Sequence, residues 1–429
     1  QYSSPVDRSD DSWKYSINSL SCRNPVAYLN TTDDHGKGKE LSGNLELDYK
    51  IHGFEDLHLH VNAGMDLKSG KSNKYYSRYN YDNYYFGSQG WNTQDTYNVS
   101  LNMYAQYLKD FAKIHHIDVM GGYEYQHFHK KTDYFYYGTY PDTNKEHAGE
   151  IKDPSENTLY KTENYLVSFF GRLNYSLADR YLLTFTLRDD GSSRFHKDNR
   201  WGLFPSVAAA WKIKEESFLR DVNAVSDMKL RLGWGKTGQQ EGIGDYTYFA
   251  SYTTNNLGAY YPIVGDGVTY RPDAYNNALT WEKTTTWNAG LDLSFLRDRI
   301  TASFDYYYRK TTDLINTVYV SAGSNFKNKV TSNIGELHNQ GFEFSTTVRP
   351  IQTKDWRWEV NYNLTYNNNK IDKLVASDDA NYKILHGGLA VGDAGSDGIQ
   401  AWAIGHPVSA FYTYQQVYDK NCQPVEGEF

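Results

Sequence analysis

Apolar and polar residues alternate along most of this chain with a period of two, the pattern of strands whose two faces meet unlike surroundings. Between Leu41 and Lys50 one face carries Leu41, Leu45, Leu47 and Tyr49, and the other carries Asn44, Glu46, Asp48 and Lys50. The pattern returns at Leu57–Met65, Leu101–Tyr107, Tyr165–Tyr175 and Tyr181–Leu187, then at Trp287–Phe295, Ile300–Tyr308 and Trp356–Tyr366. It predicts about thirteen strands, many at or above the ~9–11 residues that carry a tilted strand across a bilayer. Strands of soluble sheets are nearer ~5–6 residues, so the length itself is informative.

The connections alternate in length. Short ones fall near Ile51–Glu55, Asp110–Lys113, Ala178-Asp179 and Arg297-Asp298, and a slightly longer one at Pro350–Asp355. Long polar stretches lie between them at Lys68–Gln94, Tyr137–Tyr160, Lys236–Thr280, Asp313–Glu336 and Asn369–Ile399. The link at Lys214–Ser226 breaks the rule, since by strand count it belongs with the short turns. Short turns on one rim and long loops on the other match a membrane-spanning antiparallel β-barrel. A soluble propeller or sandwich would alternate along its strands too, but would not need this asymmetry and would usually show a repeat of blade length.

Composition agrees. The chain has 429 residues with 40 Tyr beside 19 Phe and 10 Trp, and Tyr suits strands and surfaces that are apolar on one side and wet on the other. The mean hydropathy of −0.73 and the absence of a run of ~18–20 apolar residues exclude a helical membrane protein but not a barrel, whose alternation keeps the average low. A net charge of −8 without a basic stripe argues against nucleic acid as partner. Cys22 and Cys422 cannot make a disulfide framework or a zinc site by themselves. Neither the polar start at Gln1 nor the end at Phe429 reads as a natural terminus, so the chain is expected to be an internal piece of a longer protein.

Several stretches resemble the SusC/RagA class of TonB-dependent transporters. They are Asn164–Phe195 (NYLVSFFGRLNYSLADRYLLTFTLRDDGSSRF), Trp201–Trp211 (WGLFPSVAAAW), Asp227–Gln240 (DMKLRLGWGKTGQQ), Trp281–Phe295 (WEKTTTWNAGLDLSF), Ile334–Phe344 (IGELHNQGFEF) and Gly405–Tyr414 (GHPVSAFYTY). They follow one another in the expected order, and the resemblance is looser over Gln1–Glu163. It implies a multi-pass barrel of about 22 strands in the outer membrane of a Gram-negative bacterium, of which residues 1–429 would be part, with the plug domain and the C-terminal strands lying outside them. It further implies active import of a bulky nutrient, an oligosaccharide or less often a peptide, driven through TonB and aided by a SusD-type lipoprotein lid. A siderophore or cobalamin importer and a soluble all-β glycan-binding module are the alternatives.

No catalytic constellation is evident, and neither an enzyme nor a cofactor is expected. Asp189 and Asp190 are adjacent in a strand and therefore point to opposite faces, which spoils paired acid–base work. With Arg188 and Arg194 they are read as ion pairs bracing a loop, or as contacts to cargo or lid. The i, i+2 pairs His58/His60 and His127/His129 each share a strand face, and His115-His116 adds a third pair. All are read as polar lining or rim residues, with no metal expected. Tyr75, Tyr76, Tyr84 and Tyr85 in one tyrosine-rich stretch, and Tyr260 and Tyr261 in another, are candidates for contact with the lid. A girdle at the membrane boundary and direct contact with cargo are the other readings.

Overall fold

The computed structural model describes residues 25–77, 80, 87–139, 151–152, 158–254, 270–319, 329–374, 382–387, 398–413, 415–420 and 422–425. A short helix, α1 (Pro25–Thr31), is followed by β1 (Thr32–Lys50), β2 (Leu57–Tyr76), β3 (Ser88–Phe111), β4 (His115–Thr139), the two-residue β5 (Ile151–Lys152) and β6 (Thr158–Leu177). Next come β7 (Tyr181–Ser192), β8 (Trp201–Lys212), β9 (Val225–Gln239), β10 (Tyr252–Thr254), β11 (Tyr270–Pro272), β12 (Glu282–Phe295) and β13 (Ile300–Thr312). The remainder are β14 (Ile315–Tyr319), β15 (Lys329–Asn333), β16 (Glu336–Gln352), β17 (Arg357–Lys373), β18 (Lys383–His386), β19 (Gln400–Ala403) and β20 (Ala410–Phe411).

One sheet of thirteen strands holds all the long elements, in the order β1-β2-β3-β4-β6-β7-β8-β9-β12-β13-β16-β17 with β5 attached to β4. Chain neighbours are therefore sheet neighbours, the up-and-down topology that two alternating rims of connections require. Pairing is antiparallel throughout from β6 to β17. The shorter strands β10/β11, β14/β15 and β18/β19/β20 form separate small sheets within the connections.

The chain clusters into two compact units, one of Gln1–Leu47, Val61–Asn102 and Glu124–Tyr165, the other of Asp48–His60, Met103–Tyr123 and Leu166–Phe429. In the first unit the paired strands run well into stretches whose polarity suggests loop. β2 continues to Tyr76 and β3 begins at Ser88, so most of 68–94 is strand. Cross-strand pairs carry these polar extensions, with Lys68 Nζ 3.2 Å from Glu40 and Ser69 Oγ donating to Asp95 at 2.7 Å. Where the side chains are polar on both faces the alternation fades, but the backbone ladder between paired strands continues.

In the second unit the period-two register puts rows of apolar residues across successive strands. Leu291 lies opposite Phe304, Phe304 opposite Phe344, and Phe344 opposite Leu364. These side chains are not in a core: Phe304 is 47% exposed, Leu364 44%, Trp358 56% and Leu232 51%. A contiguous exposed apolar surface of this kind marks contact with something other than water. The buried apolar cluster is small and lies on the long-loop rim, where Phe195, Phe204, Ile243, Leu279 and Trp281 pack together with Leu166 and Ile315 against them.

The short turns are tight. Ala178 and Asp179 both adopt positive φ (53° and 56°), and Arg180 N donates to Leu177 O at 3.0 Å, closing a two-residue hairpin that follows the twist of its strands. The longer link after β8 is held by its own side chains. Lys214 Nζ donates to the carbonyls of Leu219, Arg220 and Val222 at 3.0–3.2 Å. Glu216 accepts from Tyr181 Oη at 2.6 Å and from Trp211 Nε1 at 3.1 Å. Those bonds hold the Glu216 carboxyl below the ordinary glutamate range, the Tyr181 hydroxyl contributing most and the Trp211 indole next.

Candidate functional site

The face opposite the apolar rows is polar, and its charges are paired across strands. Arg231 on β9 donates from Nε to Asp292 Oδ2 at 2.8 Å and from Nη2 to Asp292 Oδ1 at 2.9 Å, and its Nη2 also reaches Asp305 Oδ2 at 3.0 Å. Ser303 Oγ donates towards both carboxylates, at 3.0 and 3.1 Å. The guanidinium's fixed fork is what allows one cation to hold two carboxylates on two further strands. Gly290 is the register partner of both Arg231 and Asp305. A Cβ there would lie 2.5 Å from Asp305 Oδ1 and 2.7 Å from Arg231 Cζ, so the glycine leaves the space through which the ion network crosses the strand in this arrangement.

A hydrogen-bonded chain centred on the Asp118 carboxylate lines the same face nearer the short turns. Gln106 Nε2 donates to Asp118 Oδ1 at 2.8 Å, Asn174 Nδ2 to Asp118 Oδ2 at 3.1 Å, and Thr184 Oγ1 to Asn174 Oδ1 at 2.9 Å. On the opposite face, His115 and Tyr175 Oη meet at 2.7 Å. The arrangement provides a wall of amides, hydroxyls and paired charges suited to water and hydroxylated or amide-bearing solutes. It offers no activated nucleophile next to a base.

The loop residues singled out from the sequence fall into separate places. Arg188 Nε donates to Asp190 Oδ1 at 2.6 Å and its Nη2 to the buried Ser168 Oγ at 2.8 Å, with the guanidinium 5.9 Å above the Phe170 ring. Asp189, between them, belongs to the other face, opposite Phe169 and Leu203. Arg194 lies beyond the end of β7, and its Nε reaches Asp245 Oδ1 at 3.0 Å in the loop after β9. Of the four, Arg188 and Asp190 pair with each other, Arg194 pairs with Asp245, and Asp189 lies on the other face, so they do not form one site.

Tyr75 and Tyr76 end β2. Tyr75 is half exposed and lines a groove with Asp33, His35, Trp91, Phe135 and Tyr137, while Lys74 Nζ sits 5.1 Å above the Tyr76 ring. Tyr84, Tyr85, Tyr260 and Tyr261 lie outside the described residues.

The histidine pairs differ from one another. His127 stacks on Tyr165 at 4.4 Å and His129 on Tyr97 at 4.6 Å. His58 and His60 instead share the polar face with Asp48 of β1, with His60 Nδ1 3.1 Å from one carboxylate oxygen and His58 Nδ1 3.6 Å from the other. Sequence spacing could not single out Asp48, because strand register brings it there.

Two features were not singled out from the sequence at all. The cluster around Trp281 is one; its Nε1 donates to Arg200 O at 2.9 Å, and Phe195 and Phe204 pack on it with ring centroids at 5.2 and 5.5 Å. Asn333 is the other. It donates to Thr280 O at 2.7 Å and Asp313 O at 2.9 Å and accepts from Thr280 N at 2.8 Å, joining the loops before β12 and β16. The tryptophan was visible in the sequence, but nothing local distinguishes a loop-core tryptophan from a girdle one.

Residues 1–419 match the family model described as TonB dependent receptor-like, beta-barrel. TonB-dependent receptor SusC of Bacteroides thetaiotaomicron is 48% identical over 423 residues, 98% of this chain and 42% of that protein. TonB-dependent receptor P26 of Formosa agariphila is 31% identical over 377 residues, 83% of this chain and 36% of that protein. Among solved structures, the RagAB peptide transporter superposes with a TM-score of 0.77 at 24% identity, covering 93% of this chain and 44% of the matched one. The chain thus spans less than half the length of these relatives, and the structural likeness at that identity concerns the fold.

Proposed function

Since the chain belongs to the TonB-dependent receptor-like β-barrel family, we propose that it forms wall strands of an outer-membrane importer of the SusC kind in a Gram-negative bacterium. In this reading the exposed apolar rows face lipid, the ion-paired polar face lines the lumen, and the long loops lie outside the cell. The observation that carries it is the placement of large side chains such as Phe304, Trp358 and Leu364 on an exposed face rather than in a core. A sheet of this kind lives in lipid only as part of a closed ring, because an open edge leaves backbone amides unpaired.

The proposed cargo is an oligosaccharide, captured with a SusD-like surface lipoprotein and moved with energy delivered through TonB. That choice rests on what the resemblance to the SusC/RagA class implies, and the RagAB likeness concerns only the fold. Residues 1–429 are part of the barrel domain in this reading, and TonB engages another part of the protein. Arg188, Asp189, Asp190 and Arg194 brace the loop rim or touch cargo or lid, and Tyr75, Tyr76, Tyr84, Tyr85, Tyr260 and Tyr261 form the lid's contact.

A deletion strain grown on a panel of glycans and peptides as sole carbon source tests the proposal. Loss of growth on one glycan, restored by the full-length gene, supports it, whereas loss confined to peptides rejects the oligosaccharide. Replacing the six tyrosines is expected to weaken capture of the lipoprotein, and unaltered capture would remove them from the contact.

A further inference from the structure

We propose that Asp48, His58 and His60 form a binding site for a divalent transition-metal ion of the Zn²⁺ type. His58 and His60 occupy the same face of β2, with rings nearly parallel (17°) and centroids 5.9 Å apart. Asp48 reaches across from β1 and presents one oxygen to each ring: Oδ2 lies 3.1 Å from His60 Nδ1 and Oδ1 lies 3.6 Å from His58 Nδ1. The three residues offer ligand atoms all within 4.8 Å of one another, and theirs is the set of three such residues with this spacing among the described residues.

The spacing fits a metal. Tetrahedral zinc with bonds of ~2.0–2.1 Å keeps its ligand atoms about 3.3–3.4 Å apart, and the two observed separations bracket that value. Two imidazoles and a carboxylate also match the donor preference of borderline cations and leave a fourth position for water or a solute group.

The site is also preorganised and reachable. Both histidine side chains are 14% exposed and Asp48 is 49% exposed, so the rings are held by packing while the carboxylate side admits an ion. Tyr104 of β3 stacks on His60 at 4.4 Å and 20°, fixing the ring plane. Nε2 of His60 is buried and has no hydrogen-bond partner, so Nδ1, turned to the carboxylate, is its engaged nitrogen. The other alternating pair lacks this geometry: Glu163 lies 3.6 Å from His127 Nε2, and no third ligand joins His127 and His129 at the spacing seen around Asp48 among the described residues. A bound ion would staple β1 to β2 close to the short-turn rim.

The test uses the full-length protein in detergent, purified without a histidine tag and stripped with chelator, to which zinc chloride alone is added. One equivalent of Zn²⁺ is expected to bind and to raise the temperature at which the folded barrel converts to its unfolded form on a gel. Co²⁺ in its place is expected to give the visible absorption of a nitrogen- and oxygen-ligated ion. His58→Gln, His60→Gln and Asp48→Asn should each weaken Zn²⁺ binding at least tenfold, while His127→Gln and His129→Gln leave it unchanged. Undiminished binding in the first three variants would overturn the assignment. Should those variants fail to fold, the wild-type protein decides: no stoichiometric Zn²⁺ and no Co²⁺ spectrum would overturn it equally.

Discussion

Arg231 and Asp292 face each other across β9 and β12 as a two-bond pair, Nε to Oδ2 at 2.8 Å and Nη2 to Oδ1 at 2.9 Å. Asp305 on the next strand takes a single further bond from the same guanidinium, at 3.0 Å. Replacing Arg231 by Met leaves two carboxylates with no cation between them. The groups are about a third exposed, so solvent screening reduces the cost to about 1–3 kcal/mol. Asp305→Asn is expected to cost less than Asp292→Asn, read as the denaturant midpoint of the barrel in detergent or bilayers.

Gly290→Ala probes the same network through space rather than charge. The new Cβ would press on Asp305 and on the Arg231 guanidinium, with an expected loss of about 1–3 kcal/mol. Gly233→Ala, whose Cβ would meet nothing nearer than 3.9 Å, serves as the control, and its midpoint should stay close to that of the parent.

The two faces of the sheet should respond oppositely to charge. Phe304→Arg places a cation on the apolar face and is expected to lower the free energy of folding into bilayers by about 2–4 kcal/mol if it lies near mid-membrane. Ser345→Arg, on the polar face one strand away, should change it little. Equal losses in both variants would contradict the assignment of faces.

Trp281→Ala removes the centre of the aromatic cluster on the long-loop rim. The expected loss is about 3–5 kcal/mol of local stability. Protease cutting within residues 240–281 should accelerate while the sheet below stays folded, because the ladder from β9 to β12 does not depend on the cluster.

Glu216 gives the short-turn rim an acid sensitivity with a defined sign. Its carboxyl is held below the ordinary glutamate range by Tyr181 and Trp211. The anion therefore stabilises the folded state fully above the ordinary range, and that contribution is lost as pH falls through the lowered value. Glu216→Gln should flatten this part of the acid limb of stability against pH, and Tyr181→Phe should do so partially. An unchanged acid limb in Glu216→Gln would contradict the assignment.

The sequence alone determined the strand phase. Each row from Leu291 through Phe304 and Phe344 to Leu364 could be assigned to one face from its own strand's alternation, because period two is a local property of an extended backbone. The order of short and long connections followed from the same pattern, and the resemblance carried by Asn164–Phe295 agrees with the family match. The ends of strands were less legible: β2 and β3 run on through polar residues, because a ladder closes its hydrogen bonds whether or not its side chains alternate. Tertiary structure alone decided which polar residues meet. Asp48 joins His58 and His60, Arg231 reaches Asp305 past Gly290, and Trp281 packs on Phe195 through register and loop packing between segments far apart in the chain. A one-residue slip in pairing would have made different partners from the same residues.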